Sequence, residues 1–152
     1  MIVDSSAVTS IFLRRPGCER LIDALAAADF AGVGAPTLAE ASLELAKPFG
    51  REVHALLARF VQEFELQIVP FSDAHFRAAV DAHQRYGEGR HSAALDFGDC
   101  LSYATARLAH QPLLCDDARF EKTDLPVSRP AQEPDGAPSA PGAPRKKRSR
   151  RA

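Results

Sequence analysis

Leu95-Asp96-Phe97-Gly98-Asp99-Cys100-Leu101-Ser102-Tyr103-Ala104 is the stretch on which the reading of this chain turns. It predicts the first turns of a helix, with Asp96 in the N-cap position. Tyr103, Ala104 and Ala106, with Leu108, suit a buried helix. Asp99 follows Asp96 by three residues on the same face, too deep to be the cap itself. A carboxylate there must be solvated, paired or held by a cation, because burying a lone charge is costly. The rest of the chain is then asked whether it brings other carboxylates to Asp99.

Working outward, Gly87-Glu88-Gly89-Arg90-His91 predicts a polar, mobile loop. Before it, Ser72-Asp73 caps a helix with Phe76, Ala79, Val80 and His83 on one side. Residues 51–65 form the clearest amphipathic helix, with Val53, Leu56, Leu57, Phe60, Val61 and Phe64 as its apolar stripe. Pro36-Thr37 opens a helix over 37–47 that Pro48 stops. Shorter helices are expected over 7–13 and 18–28. Strands are expected at 2–3, 30–34, 66–69 and 112–115, the last after a helix that runs to about His110. Strand and helix alternate, so the class is α/β, a central mainly parallel sheet flanked by helices.

A length of 152 residues favours one domain. The net charge of −1 hides an asymmetry. Six of the 19 basic residues lie at 145–151, which leaves 13 basic against 20 acidic residues in 1–144. An acidic body suggests a cation, and a basic tail suggests nucleic acid. Residues 129–152 are rich in Pro, Ala and Gly and end in that basic arm; they predict a disordered linker after a domain over 1–128. Three scattered cysteines make no zinc knuckle and no disulfide framework. Met1-Ile2-Val3 runs straight into Asp4 with no basic leader, and no apolar run approaches the ~20 residues of a membrane span. The expected location is the cytoplasm, with no membrane partner.

In an open parallel sheet, ligands sit beyond the carboxyl ends of the strands. Asp4 follows the first strand, Asp116-Asp117 follow the last, and Glu40 falls in the first turn of the helix after the second. Each has a simpler role available. Asp4 and Asp96 can cap helices, Thr37 and Glu40 fit a capping box, and Asp116 and Asp117 suit a turn. Together they repel one another unless a cation neutralises them. An all-oxygen set of this size suits Mg²⁺, with Mn²⁺ as the alternative. Such a site can activate water for in-line displacement at phosphorus. The five histidines are scattered, and Cys100 reads as a packed residue rather than a nucleophile. No nucleophile elbow, phosphate-binding glycine loop or dinucleotide fingerprint is present.

Four motifs in order carry a resemblance: Ile2-Val3-Asp4-Ser5-Ser6-Ala7, Ala35-Pro36-Thr37-Leu38-Ala39-Glu40, Phe97 to Ala104, and Pro112-Leu113-Leu114-Cys115. Over about residues 1–128 the chain resembles the PIN-domain family, most of all the VapC ribonuclease toxins of bacterial toxin–antitoxin pairs. The resemblance implies a PIN-like fold and a metal-dependent endoribonuclease. Asp4 and Asp99 would hold Mg²⁺, and Glu40 would complete the site, with Asp96 or Asp117 helping to position the attacking water or a second ion. Ser6 matches a hydroxyl beside the first acid. A homodimer and a small antitoxin that blocks the site are implied as partners. Two departures stand out. Asp96 stands where relatives carry Asn. The fourth acid is open between Asp116 and Asp117, because Ala118-Arg119 occupy the places directly before Phe120.

The expected function is hydrolysis of RNA to 5′-phosphate and 3′-hydroxyl ends, since a metal-activated water does not need the 2′-hydroxyl. Arg90 is a candidate phosphate contact, and the basic tail would add salt-dependent RNA affinity. The rival is a catalytically weak PIN-like module that binds RNA or a partner. A phospho-aspartyl receiver also places acids at strand ends, but the first strand here is not followed by Asp-x-Asp.

Overall fold

The strands are short because the runs that can be buried on both faces are short. Residues 1–129 are described in this computed structural model; the predicted linker and basic arm, from 130 on, lie outside the described residues. Ile2 and Val3 have no exposed surface and form β1 (Ile2–Val3), the middle of a five-stranded sheet. The other strands are β2 (Gly32–Gly34), β3 (Gln67–Val69), β4 (Leu113–Leu114) and β5 (Val127–Ser128), in the order β3-β2-β1-β4-β5. Every pairing is parallel. Ile2 sits opposite Gly32 on one side and Leu113 on the other, and Val3 opposite Val33 and Leu114.

Successive side chains on a strand point to opposite faces, so β1 serves two cores. Ile2 packs with Leu95, Tyr103, Leu113 and Phe120. Val3 packs with Val8, Leu21, Val33, Leu45, Phe60 and Leu114. The first core lies under α5 (Asp73–Tyr86) and α6 (Phe97–Ala109); the second lies under α1 (Ser5–Phe12), α2 (Cys18–Ala27), α3 (Ala35–Phe49) and α4 (Val53–Glu63). Fully burying one such aliphatic side chain contributes about 1.5–3 kcal/mol.

The parallel α/β architecture matches the sequence expectation, and four of the five strands were foreseen. β5 was not, because two residues of strand carry no periodicity to read. The helix expected over 37–47 is longer at both ends. It starts at Ala35, because Pro36 near its start has no N–H to lose. It runs through Pro48 to Phe49, since the bond lost falls in the last turn, and ends where Gly50 takes a φ of +55°. The amphipathic stretch over 51–65 divides into a 3-10 turn, Gly50–Glu52, and α4. On α5 the buried face is Ala79, Ala82 and Tyr86, whereas Phe76, Val80 and His83 of the expected stripe are exposed. No helix among the described residues is long and apolar enough to cross a membrane.

Candidate active site at the carboxyl edge of the sheet

β2, β1 and β4 are neighbours and parallel, so their carboxyl ends open on one edge. Asp4 follows β1 directly and caps α1. Its Oδ2 accepts from the Ser6 N–H at 3.0 Å and the Ser6 hydroxyl at 2.5 Å. Ser6 Oγ in turn accepts from the Asp116 N–H at 3.1 Å, which ties the cap to the end of β4. Asp4 is 1% exposed, and its Oδ1 is buried with no hydrogen-bond partner among the described residues. Burial raises its pKa against the opposing pull of the Ser102 and Ser6 hydroxyls and nearby backbone N–H groups.

Asp99 is the third residue of α6 and is 7% exposed. It and Asp96 cap each other: Asp96 Oδ1 accepts from the Asp99 N–H at 3.0 Å, and Asp99 Oδ2 accepts from the Asp96 N–H at 2.9 Å. Burial pushes its pKa up to about 7, with the charges of Asp96 and Asp4 adding to the rise; the Asp96 N–H and Arg119 oppose it. Asp96 is thus the helix cap as well as a neighbouring charge.

Glu40 departs from its expected place. α3 begins at Ala35 with Gly34 as its cap, so Glu40 is the sixth helical residue, in the second turn rather than the first. The capping box with Thr37 does not form; the Thr37 hydroxyl meets Ser102 Oγ at 3.2 Å instead. Freed from that role, the Glu40 carboxylate lies against the start of α6. A Cβ on Gly98 would overlap it, so the glycine is what admits Glu40. Burial raises the Glu40 pKa, as do the charges of Asp4, Asp96 and Glu44, while the Ser5 hydroxyl offsets part of the rise.

The acids after β4 are engaged elsewhere. Asp116 Oδ2 accepts from Ser10 Oγ at 2.5 Å. Asp117 caps a 3-10 turn, Ala118–Lys122, and holds Arg119 by its N–H at 2.8 Å and its Nε at 2.7 Å. Arg119 also forms an ion pair with Asp99 Oδ2 at 2.8 Å and lies 3.6 Å from Asp96 Oδ2. Sequence reasoning did not place this arginine in the site. Its only signal was that Ala118-Arg119 replaced the expected acids before Phe120. Arg90 is exposed and lines a groove of about 950 Å³ with Phe71, Phe76, Val80, Asp96 and Phe97. Cys100 is buried beside Asp99, and burial lifts its thiol to about 11, which leaves it protonated and inert.

The donor set fits a hard divalent cation. Asp4 presents a buried oxygen with no partner, and the charges of Asp4 and Asp96 add to the need of both Glu40 and Asp99 for a counter-charge. No three Asp, Glu, His or Cys side chains among the described residues form a complete ligand cluster. A cation here therefore rests on one or two carboxylates and water, which is how Mg²⁺ is commonly held.

The PIN domain family profile matches residues 1–125. Ribonuclease VapC36 of Mycobacterium tuberculosis is 43% identical over 126 residues, covering 82% of this chain and 91% of that protein. Ribonuclease VapC of Mycolicibacterium smegmatis is 32% identical over 125 residues, covering 82% and 97%. Among solved structures, Mycobacterium tuberculosis VapC20, a Sarcin-Ricin loop cleaving toxin, superposes with a TM-score of 0.67 at 16% identity, over 85% of this chain and 98% of that one. At that identity the likeness is one of fold.

Proposed function

The chain belongs to the PIN-domain family and is VapC-like over most of its length, and on that basis we propose that it is the toxin of a toxin–antitoxin pair, a Mg²⁺-dependent endoribonuclease. The observation that carries the proposal is the set of buried, mutually repelling carboxylates at the end of the central strand, with one Asp4 oxygen left without a partner.

Asp4 and Asp99 are the proposed cation ligands. A divalent cation bound there supplies positive charge against the scissile phosphate and acidifies the attacking water. Glu40, half-buried and with a raised pKa, is placed to orient that water and take its proton. Asp96 holds the helix start that presents Asp99, and Ser6 fixes the Asp4 rotamer through Oδ2. The products are a 5′-phosphate and a 3′-hydroxyl. Arg90, at the mouth of the groove, is the proposed phosphate contact.

The relatives are named ribonucleases, which supports RNA as the substrate; a small antitoxin and a second copy of the chain are the proposed protein partners. Phe71, Phe76, Val80 and Phe97 are large and exposed, a surface that a protein partner can bury. Three free, buried cysteines fit a reducing cytoplasm.

The test is cleavage of total RNA by wild type and Asp99→Asn, with Mg²⁺ and with EDTA. Discrete fragments that need Mg²⁺ and vanish in the variant support the proposal. Intact RNA from a folded, cation-binding wild type, across several RNA pools, points instead to a binding module.

A further inference from the structure

We infer that Arg119 occupies the place of a second cation, so that the acid site takes a single divalent ion. The inference rests on the metal-dependent reading above and adds to it the number of ions and the role of one residue.

The guanidinium is held from three sides. Nε donates to Asp117 Oδ2 at 2.7 Å; Nη1 donates to the Ala94 carbonyl at 3.1 Å and forms an ion pair with Asp99 Oδ2 at 2.8 Å; Nη2 lies 3.6 Å from Asp96 Oδ2. The neighbouring residue, Phe120, has no exposed surface, so the backbone that carries Arg119 is anchored in the core. Arginine keeps its charge at any working pH, and its planar fork suits several carboxylates at once.

The pattern of used oxygens shows what this leaves. The Asp96 N–H donates to Asp99 Oδ2, and the Arg119 ion pair falls on the same oxygen. The Ser6 N–H and hydroxyl both donate to Asp4 Oδ2, and Oδ1 has no partner among the described residues. Each acid therefore keeps Oδ1 for another ligand. Asp96, Asp117 and the Oδ2 of Asp99 are answered by the guanidinium, whereas Asp4, Glu40 and the Oδ1 of Asp99 are not. A second divalent ion would need Asp96, Asp117 or Asp99 Oδ2, and would enter beside a fixed positive charge. Asp117 is then the anchor of the arginine rather than a metal ligand. Arg119 is a positioning residue, which holds Asp99 by one oxygen and leaves the other available.

The experiment counts Mn²⁺ bound per full-length chain, by electron paramagnetic resonance of the free ion, for wild type, Arg119→Lys and Arg119→Asp. One ion is expected for wild type and Arg119→Lys, and two for Arg119→Asp, which restores an acid and removes the cation. Two ions in wild type overturn the inference, as does one ion in an Arg119→Asp protein whose circular dichroism matches wild type. If Arg119→Asp does not fold, Arg119→Gln replaces it. Loss of the charge is expected to tighten the first ion at least about tenfold, and unchanged or weaker binding overturns the inference. No bound ion in folded wild type is a different result; it overturns the metal-dependent reading and this inference with it.

Discussion

Helix α6 carries two clusters of aspartate and arginine with opposite balance. Near its far end, Asp124 accepts from the Tyr103 hydroxyl at 2.7 Å, Arg107 at 3.0 Å and Arg85 at 3.1 Å. Burial alone would raise its pKa, but Tyr103 and the two arginines hold it down at about 2. At the start of the same helix, burial pushes Asp99 up to about 7, with the charges of Asp96 and Asp4 adding to the rise and Arg119 answering only part of it. One acid, with a single negative charge, is matched by two positive charges and a hydroxyl donor. The other group is left in need of positive charge. The first arrangement stabilises the fold, while the second costs stability in a way that a bound cation relieves, and such perturbed groups gather at functional sites.

The largest expected effect comes from breaking the unbalanced cluster. Asp4→Asn should lower Mg²⁺-dependent RNA cleavage by more than ~10²-fold, since loss of an outer partner to a metal ligand alone costs about 10–100-fold. In EDTA at pH 7.5 the same variant should melt at a higher temperature than wild type, because a buried, repelled charge has been removed. A lower melting temperature would show that Asp4 is a structural cap first.

Gly98→Ala should separate activity from stability. Alanine normally favours a helix over glycine by about 1 kcal/mol. Here its Cβ displaces the Glu40 carboxylate, which can swing away, so the fold should hold. Cleavage should fall by ~10–10²-fold, the cost of misplacing a group by about 1 Å. Unchanged cleavage would remove Glu40 from the proposed chemistry.

The two clusters should also act on opposite sides of the pH scale in EDTA. Folded Asp99 binds its proton more tightly than unfolded Asp99, so its contribution to stability falls as pH rises from about 4 to 7. Asp124 is the reverse: its contribution is present above about pH 4 and is lost as pH falls towards 2. Melting temperature against pH should therefore lose its upper slope in Asp99→Asn and its lower slope in Asp124→Asn. Mn²⁺ added at pH 7.5 should raise the melting temperature of wild type but not of Asp99→Asn.

The smallest effect is the stability cost of Asp124→Asn at pH 7. Its side chain is 37% exposed, so solvent screens the network and about 1 kcal/mol is expected, or ~3–5 °C in melting temperature. RNA cleavage at a temperature where the variant stays folded should match wild type. A loss of cleavage there would mean that the two ends of α6 are coupled.

The site was legible wherever a residue's role follows from its neighbours in sequence. Asp4 ends a strand and opens a helix, and Asp96 and Asp99 stand three apart at a helix start; both patterns place the carboxylate without knowledge of the rest of the fold. Glu40 was harder. Its spacing from Thr37 suggested a cap, and only the true start of α3, set by the end of β2, moved it into the second turn. The role of Arg119 was not legible, because its partners lie at Asp96, Asp99 and Ala94, brought to it by the pairing of β4 beside β1.

Sequence alone determined the alternation of strands and helices, the division between an acidic body and a basic tail, and the choice of candidate acids. Apolar periodicity and capping chemistry are local, so they can be read in order along the chain. Tertiary structure decided the strand order β3-β2-β1-β4-β5, the admission of Glu40 past Gly98, and the guanidinium fixed against Asp99. Those depend on which strand ends meet and on how much charge burial gathers at one edge, and both are properties of the packed molecule rather than of any segment of it.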